Sequence, residues 1–279
     1  MAIQSKIISI QDADDKVNIL VYGDSGVGKT RFASSDDRVL FVAPEDRSDG
    51  LLSAVMAGAV CDKWPIKCWK DLQEAFNYLY HLEDEIPYNW VVIDSLTDMQ
   101  KMGMQWILQK AVAENPSRDP DIPQLQDWQK YYNMVEAMVN AFNGLDVNVL
   151  YTALSRMAED EEGNEYLLPD LQGKKDNYSK QIVSMMTSFG HMSVRRKKIP
   201  PDDEGGKVTY EDERRIIWKD TGVVKGKDRT LALAPYTIVE GDQPLKDIRL
   251  AIEAKKAGVM KKAPATRSTR KSVEQKEDE

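Results

Sequence analysis

An α/β fold is predicted for this chain, with a mostly parallel sheet, helices on both faces and a C-terminal β-hairpin region. Three observations predict it. An apolar, β-favouring run (Ile19, Leu20, Val21, Tyr22) enters a glycine-rich turn, and a second such run, residues 90–93, ends in Asp94. Up to residue 152, apolar runs of strand length alternate with stretches of helical periodicity, the order that builds parallel βαβ units. Beyond residue 190, two strand-like segments flank a turn rich in Pro and Gly, which reads as a hairpin.

The glycine-rich turn is Gly23, Asp24, Ser25, Gly26, Val27, Gly28, Lys29 and Thr30, which fits GxxxxGK[ST] in full. Its glycines allow positive φ angles and close backbone approach, so that successive N–H groups can curl around phosphate oxygens, and the helix that follows adds its dipole. In such a loop Lys29 reaches the β and γ phosphates, and the Thr30 hydroxyl ligates Mg²⁺. Arg31, next in the chain, is grouped with the nucleotide-binding residues. Asp94, at the end of its strand, is expected to hold the same Mg²⁺ beside Thr30. The cofactors expected are therefore ATP and Mg²⁺.

At 279 residues the chain suits one large α/β domain with a small appendage. The expected division is an N-terminal strand and turn (1–16), the ATPase core (17–240), a helical segment (241–260) and a disordered charged tail (261–279). No apolar run reaches the ~18–20 residues of a membrane span, and the first residues lack the apolar stretch of a signal peptide. A cytoplasmic protein without a membrane partner is expected. Cys61 and Cys68 are the only cysteines and His81 and His191 the only histidines, too few and too scattered for a closed zinc site. The net charge of −8 disfavours a nucleic-acid partner at first sight, yet residues 195–229 hold eleven Lys/Arg against eight Asp/Glu. Distribution matters more than the total, and a basic patch on an acidic body remains open.

In chain order, Ile7, Ile8 and Ile10 read as a first strand. After the glycine-rich loop the helix must be brief, because residues 34–37 are turn-like and residues 38–43 form an apolar strand run. Pro44, Glu45, Asp46 and Arg47 follow that strand directly, where open α/β sheets collect ligand-handling side chains. Residues 66–69 read as a strand and 71–85 as a helix that Pro87 ends. Residues 97–114 form a helix with Thr97 as N-cap. Residues 125–143 form another, with Leu125, Trp128, Tyr132, Val135, Val139 and Phe142 on one stripe. Packing on the sheet, a partner seam or base stacking are its possible uses. Residues 146–152 form a further strand.

Beyond it the sequence turns polar. Residues 156–180, with Arg156, Lys174, Lys175 and Lys180, read as an exposed loop or as a contact for a polymeric partner. Residues 192–199 and 214–221 read as the hairpin strands. Arg195, Arg196, Lys197 and Lys198 have two readings, phosphate contact or a solvated strand pairing with Glu211, Asp212 and Glu213. Lys225, Lys227 and Arg229 occupy alternate positions, one face of a strand. That face calls for an anionic partner, and in an assembly the anion can be ATP bound by the neighbouring copy. The tail from Lys261, basic and then acidic with no periodic apolar residues, reads as solvated or as a DNA-contacting arm.

Taken together, a glycine-rich loop, a strand ending in Glu45, a strand ending in Asp94-Ser95, a long excursion and a hairpin followed by Lys-x-Arg resemble the RecA-like P-loop ATPase core. Within it the chain most resembles the phage P-loop proteins of the Sak type, RecA-core single-strand annealing proteins. The resemblance implies that Glu45 is the catalytic carboxylate that polarises the attacking water. It also implies that Lys227 and Arg229 reach across a subunit boundary to the neighbour's γ-phosphate. It departs at residues 150–154, where a polar Asn-Gln pair is usual and only Thr152 is polar. Strand exchange is therefore not expected.

The function implied is a slow, DNA-stimulated ATPase that binds single-stranded DNA as a ring or filament of identical copies. It would promote annealing or homologous recombination, alongside a single-strand-binding protein, in the bacterial host of a phage. Two alternatives stand beside it: an ATPase of the same superfamily acting on a protein client, and an ATP-gated scaffold that does not hydrolyse.

Overall fold

The computed structural model describes residues 16–45, 49–173, 177–199 and 208–258. The strand expected at residues 7–10, the hairpin turn, Asp46, Arg47, Lys174, Lys175 and the tail lie outside them. The first half of the chain gives β1 (Asn18–Tyr22), α1 (Lys29–Ala33), β2 (Val39–Pro44), α2 (Asp49–Met56), β3 (Asp62–Ile66), α3 (Trp69–Leu82), β4 (Trp90–Ile93), α4 (Leu96–Glu114) and α5 (Leu125–Asn143). The second half gives β5 (Asn148–Ala153), β6 (Ser155–Glu159), β7 (Glu165–Pro169), α6 (Asn177–Ser184), β8 (Ser188–Ile199), β9 (Thr209–Ile217), β10 (Lys227–Asp228), β11 (Tyr236–Ile238) and α7 (Pro244–Lys256).

One sheet runs β3-β2-β4-β5-β1-β8-β9-β11, with β10 also on β8. The first six strands are mutually parallel, and β9, β10 and β11 join antiparallel. Both faces are covered, which is why the central strands are apolar throughout rather than alternating. On β1, Ile19 and Val21 enter the core beneath α1 and α7, while Leu20 and Tyr22 enter the core beneath α3, α4, α5 and α6. Among the described residues no helix is long and apolar enough to cross a membrane.

Several boundaries differ from the sequence reading, each for a local reason. The strand expected at residues 66–69 is β3, four residues earlier. The Asp71 carboxylate accepts from the Lys67 and Cys68 N–H groups and starts α3 at Trp69. Pro65 is tolerated inside β3 because β3 is an edge strand. The N-cap of α4 is Ser95, not Thr97: the Ser95 hydroxyl accepts from the Asp98 N–H. Thr97 instead ties α4 to the ends of two strands, donating to the Asp170 carbonyl and accepting from the Leu154 N–H. In α5, Tyr131 replaces Leu125 as a core residue, for Tyr131 is fully buried while Leu125 is exposed. Trp128 and Tyr132 pack against the core rather than standing free.

The excursion 156–180 is not a loop but a small hairpin, β6 with β7, followed by α6. Asp160 closes its turn by accepting from the Glu162 and Asn164 N–H groups, with Gly163 at φ 84°. The second strand of the larger hairpin is β9, displaced towards the turn from residues 214–221.

Helix α7 closes the fold over the loop that follows α1. Asp36, fully buried, accepts from Arg249 Nε at 2.7 Å and Nη2 at 3.0 Å, and from Trp90 Nε1 at 2.8 Å. Removing one partner of a buried ion pair leaves the other uncompensated. Arg249→Ala is therefore expected to destabilise the fold by about 3–5 kcal/mol in urea unfolding. A loss below ~1 kcal/mol would show that Asp36 needs no cation.

Candidate functional site

The glycine-rich loop joins β1 to α1 at the carboxyl edge of the sheet. Gly28, the residue before α1, has φ 103° and ψ 20°, and Gly26 has φ 84°. Both conformations favour glycine. At Gly23 the constraint is space: a Cβ would lie 2.3 Å from the Met192 carbonyl oxygen, where β8 passes under the loop. Lys29 Nζ donates to the carbonyls of Gly23 and Asp24, both at 2.8 Å. Burial lowers the pKa of Lys29, against the pull of Asp94 and Asp24.

In the sheet β5 lies between β1 and β4, which brings three side chains together. The Thr30 hydroxyl donates to Asp94 Oδ2 at 2.8 Å, and the Thr152 hydroxyl donates to Asp94 Oδ1. Both carboxylate oxygens of Asp94 are thus held by threonines from the neighbouring elements. Thr152, the only polar side chain at the end of β5, is fully buried and serves Asp94. On the exposed side of the loop, Ser155 at the start of β6 donates to the Asp24 carboxylate.

Glu45 stands one residue past β2, on the strand beside β4, so it shares the sheet edge with Asp94. Its carboxylate is half-exposed and ion-paired with Lys67 at 2.5 Å. The cations at 225, 227 and 229 have different surroundings within the chain. The strand here is only Lys227–Asp228, too short to align them. Lys225 pairs with Asp220 at 3.0 Å and lies 4.9 Å from the Tyr166 ring centre. Lys227 donates to the Val183 carbonyl at 3.1 Å beside the Phe189 ring, and burial, then the charge of Arg229, lowers its pKa. Arg229 is exposed, and its side chain makes no hydrogen bond or ion pair among the described residues.

The basic tetrad has the second of its two readings in its strand register. Arg195 lies opposite Glu213, Arg196 opposite Asp212, Lys197 opposite Glu211 and Lys198 opposite Tyr210. Lys197 also comes within 3.7 Å of Glu213. Arg156, on β6, is half-buried and its Nη2 lies 3.5 Å from the Ser179 hydroxyl.

Two residues of this region, Tyr22 and His191, have contacts that no motif indicates. The Tyr22 hydroxyl, at the last position of β1, donates to the Leu167 and Lys225 carbonyls at 2.9 and 2.6 Å, tying β1 to β7 and to the segment before β10. A tyrosine ending an otherwise aliphatic strand was the available signal. His191 packs against Tyr22 with ring centroids 5.0 Å apart and planes tilted by 55°, and its Nδ1 is buried with no hydrogen-bond partner among the described residues.

Burial lowers the His191 pKa; Asp24 opposes this and Lys29 reinforces it. A base whose folded pKa is depressed contributes full stability above its unfolded pKa, about 6.5, and loses it as pH falls below that value. The melting temperature of the wild type is expected to drop more steeply between pH 7 and 5 than that of His191→Gln. Equal slopes would remove His191 from the pH response.

Among the described residues no group of three or more His, Cys, Asp or Glu side chains could hold a metal ion by itself. Cys61 and Cys68 form no disulfide. Comparison with curated proteins gave no match. The family model described as AAA domain matches residues 15–230, the stretch that carries the glycine-rich loop, Asp94 and the whole parallel sheet. The chain therefore belongs to the AAA domain family and has the α/β fold of a P-loop NTPase.

Proposed function

We propose that the protein is a Mg²⁺-dependent ATPase that works as a homo-oligomer on single-stranded DNA, in annealing or recombination. The observation that carries the nucleotide reading is the convergence of Thr30 and Asp94 beside Lys29. A hydroxyl and a carboxylate oxygen 2.8 Å apart are the hard-oxygen pair that suits Mg²⁺. That ion takes one or two protein ligands and completes its shell with phosphate oxygens and water. When bound, it neutralises charge building on the β and γ phosphates.

The chain's own groups have the remaining tasks. The loop amides and Lys29 hold the phosphates, with Lys29 exchanging the Gly23 and Asp24 carbonyls for phosphate oxygens. Thr152 fixes the Asp94 carboxylate so that one oxygen faces Thr30. Glu45, once released from Lys67, orients the attacking water and takes its proton. Lys227 and Arg229 act on the γ-phosphate of the adjacent copy. Arg229, exposed and without an ion pair among the described residues, is the better placed of the two.

The DNA half rests on the sequence resemblance to Sak-type proteins and on the exposed cations of the β8–β9 arm. A second reading, an ATPase with a protein client, draws support from the acids facing Arg195, Arg196 and Lys197, which neutralise the arm from within. Phosphate release measured at low salt, with and without a long unstructured single strand, separates the two. The DNA reading expects binding of the strand, faster turnover in its presence, and affinity that falls steeply with added salt. Turnover and binding both indifferent to the strand would leave the protein client.

A further inference from the structure

Beside Gly28, on the α1 and α7 side of the sheet, lies a recess of about 490 Å³, within the range of small-ligand pockets. It is lined by Gly28, Arg31 and Phe32 but by none of residues 23–27, so it opens where the phosphate-holding part of the loop ends. Its wall also carries Arg214, from β9.

Arg214 faces no acid across the hairpin. The three acids that precede it face Lys197, Arg196 and Arg195, but Arg214 itself faces Val194. It belongs to the same side of β9 as Ile216, two residues on and fully buried, so its stem runs toward the core and its head toward the loop. A Cβ placed on Gly28 would lie 3.4 Å from Arg214 Nε and 3.5 Å from its Cδ, which measures how closely the side chain overlies the loop. The guanidinium is half-buried, and among the described residues it makes no hydrogen bond or ion pair. A partly desolvated guanidinium with five donors and no acceptor calls for an anion, and phosphate matches its fork.

Glu240 and Asp242, exposed carboxylates that can accept from hydroxyl or amino groups, also line the recess, as does Asp37. Their wall is fastened to Arg214, because the Val239 N–H donates to the Arg214 carbonyl at 2.8 Å. The recess therefore combines cations beside the loop, Arg31 and Arg214, with carboxylate acceptors. That combination suits a nucleotide.

We propose that Arg214 binds the phosphate nearest the sugar, in cis, and that the recess beside Gly28 seats the sugar and base of the same nucleotide. This rests on the nucleotide reading of the loop and adds to it a residue that no motif contains.

The test is calorimetric titration of the full chain with ATP and with ADP in Mg²⁺, comparing wild type, Arg214→Ala, Arg214→Lys and Lys29→Ala. Loss of a charge-assisted hydrogen bond predicts that Arg214→Ala binds both nucleotides ~10- to 100-fold more weakly. The ratio of ATP to ADP affinity stays unchanged, since the phosphate concerned is common to both. Arg214→Lys recovers part of the loss. Lys29→Ala, in contrast, changes the ratio. Should Arg214→Ala fail to fold, Arg214→Gln keeps much of the stem without the charge and is expected to give the same weakening. Unchanged affinity in these variants, or an altered ATP to ADP ratio, overturns the role of Arg214 while leaving the loop's role intact. A wild type that binds neither nucleotide overturns the nucleotide reading itself.

Discussion

Arg229→Ala is expected to lower ATP turnover by about 10³- to 10⁵-fold, the contribution of a cation that stabilises charge on a transferring phosphoryl group. The same variant is expected to melt at the wild-type temperature, because the Arg229 side chain is exposed and makes no hydrogen bond or ion pair among the described residues. The two outcomes together separate a trans-acting role from a structural one. Mixing provides a sharper check. In an assembly of Arg229→Ala and Lys29→Ala copies, some boundaries unite the intact loop of one copy with the intact arginine of another. Such mixtures are expected to regain a measurable fraction of the wild-type rate although each variant alone is inactive. Phosphate release that stays at wild-type level in Arg229→Ala alone would end the shared-site account, as would mixtures that remain silent.

Asp94→Asn is expected to cost about 10²- to 10⁴-fold in turnover, since polarisation by a bound metal contributes several kcal/mol to the transition state. The carboxylate is held on both oxygens, by Thr30 and by Thr152. An amide of the same shape keeps one acceptor but presents N–H donors at the other position. There it faces either a hydroxyl or the cation. Raising Mg²⁺ is expected to recover part of the activity, because the defect lies in holding the ion. Thr152→Val is expected to act in the same direction and more weakly, as it loosens the carboxylate without removing it. Full activity of Asp94→Asn at ordinary Mg²⁺ would take Asp94 out of the metal site.

Much of this site can be read from the sequence because its signals are local. Residues 23–30 satisfy a complete pattern, and a four-residue apolar strand ending in Asp94 leaves little freedom over where that carboxylate stands. Thr152 is different: it is recognisable as polar, but its task depends on β5 being inserted between β1 and β4, and strand order is not written in any one segment. Arg214 and Tyr22 act over separations of about 190 and 200 residues, to Gly28 and to Lys225. Periodicity within a strand says nothing about such partners.

The excursion 156–180 shows a second kind of loss. Its charged residues mask a period-two pattern in Tyr166 and Leu168, while the Asp160 turn that organises it uses side-chain-to-backbone bonds that look like ordinary loop polarity. The alternate cations at 225, 227 and 229 mislead in the opposite sense. A strand long enough to display them on one side does not form, and two of the three lysine and arginine heads find rings and carbonyls within the same copy.

The ends of the sheet constrain how copies can meet. One margin is β3, with Lys63 and Pro65 in it and Lys67 just past its end; the other is β11, three residues long. Proline and lysine on a margin, or brevity, are the means by which natural sheets refuse an incoming strand. Continuous β-pairing from copy to copy is thereby disfavoured, so the proposed assembly would be joined through side chains and connecting segments. A joint of that kind can tighten or slacken with the nucleotide it encloses, which a hydrogen-bonded ladder cannot do without breaking.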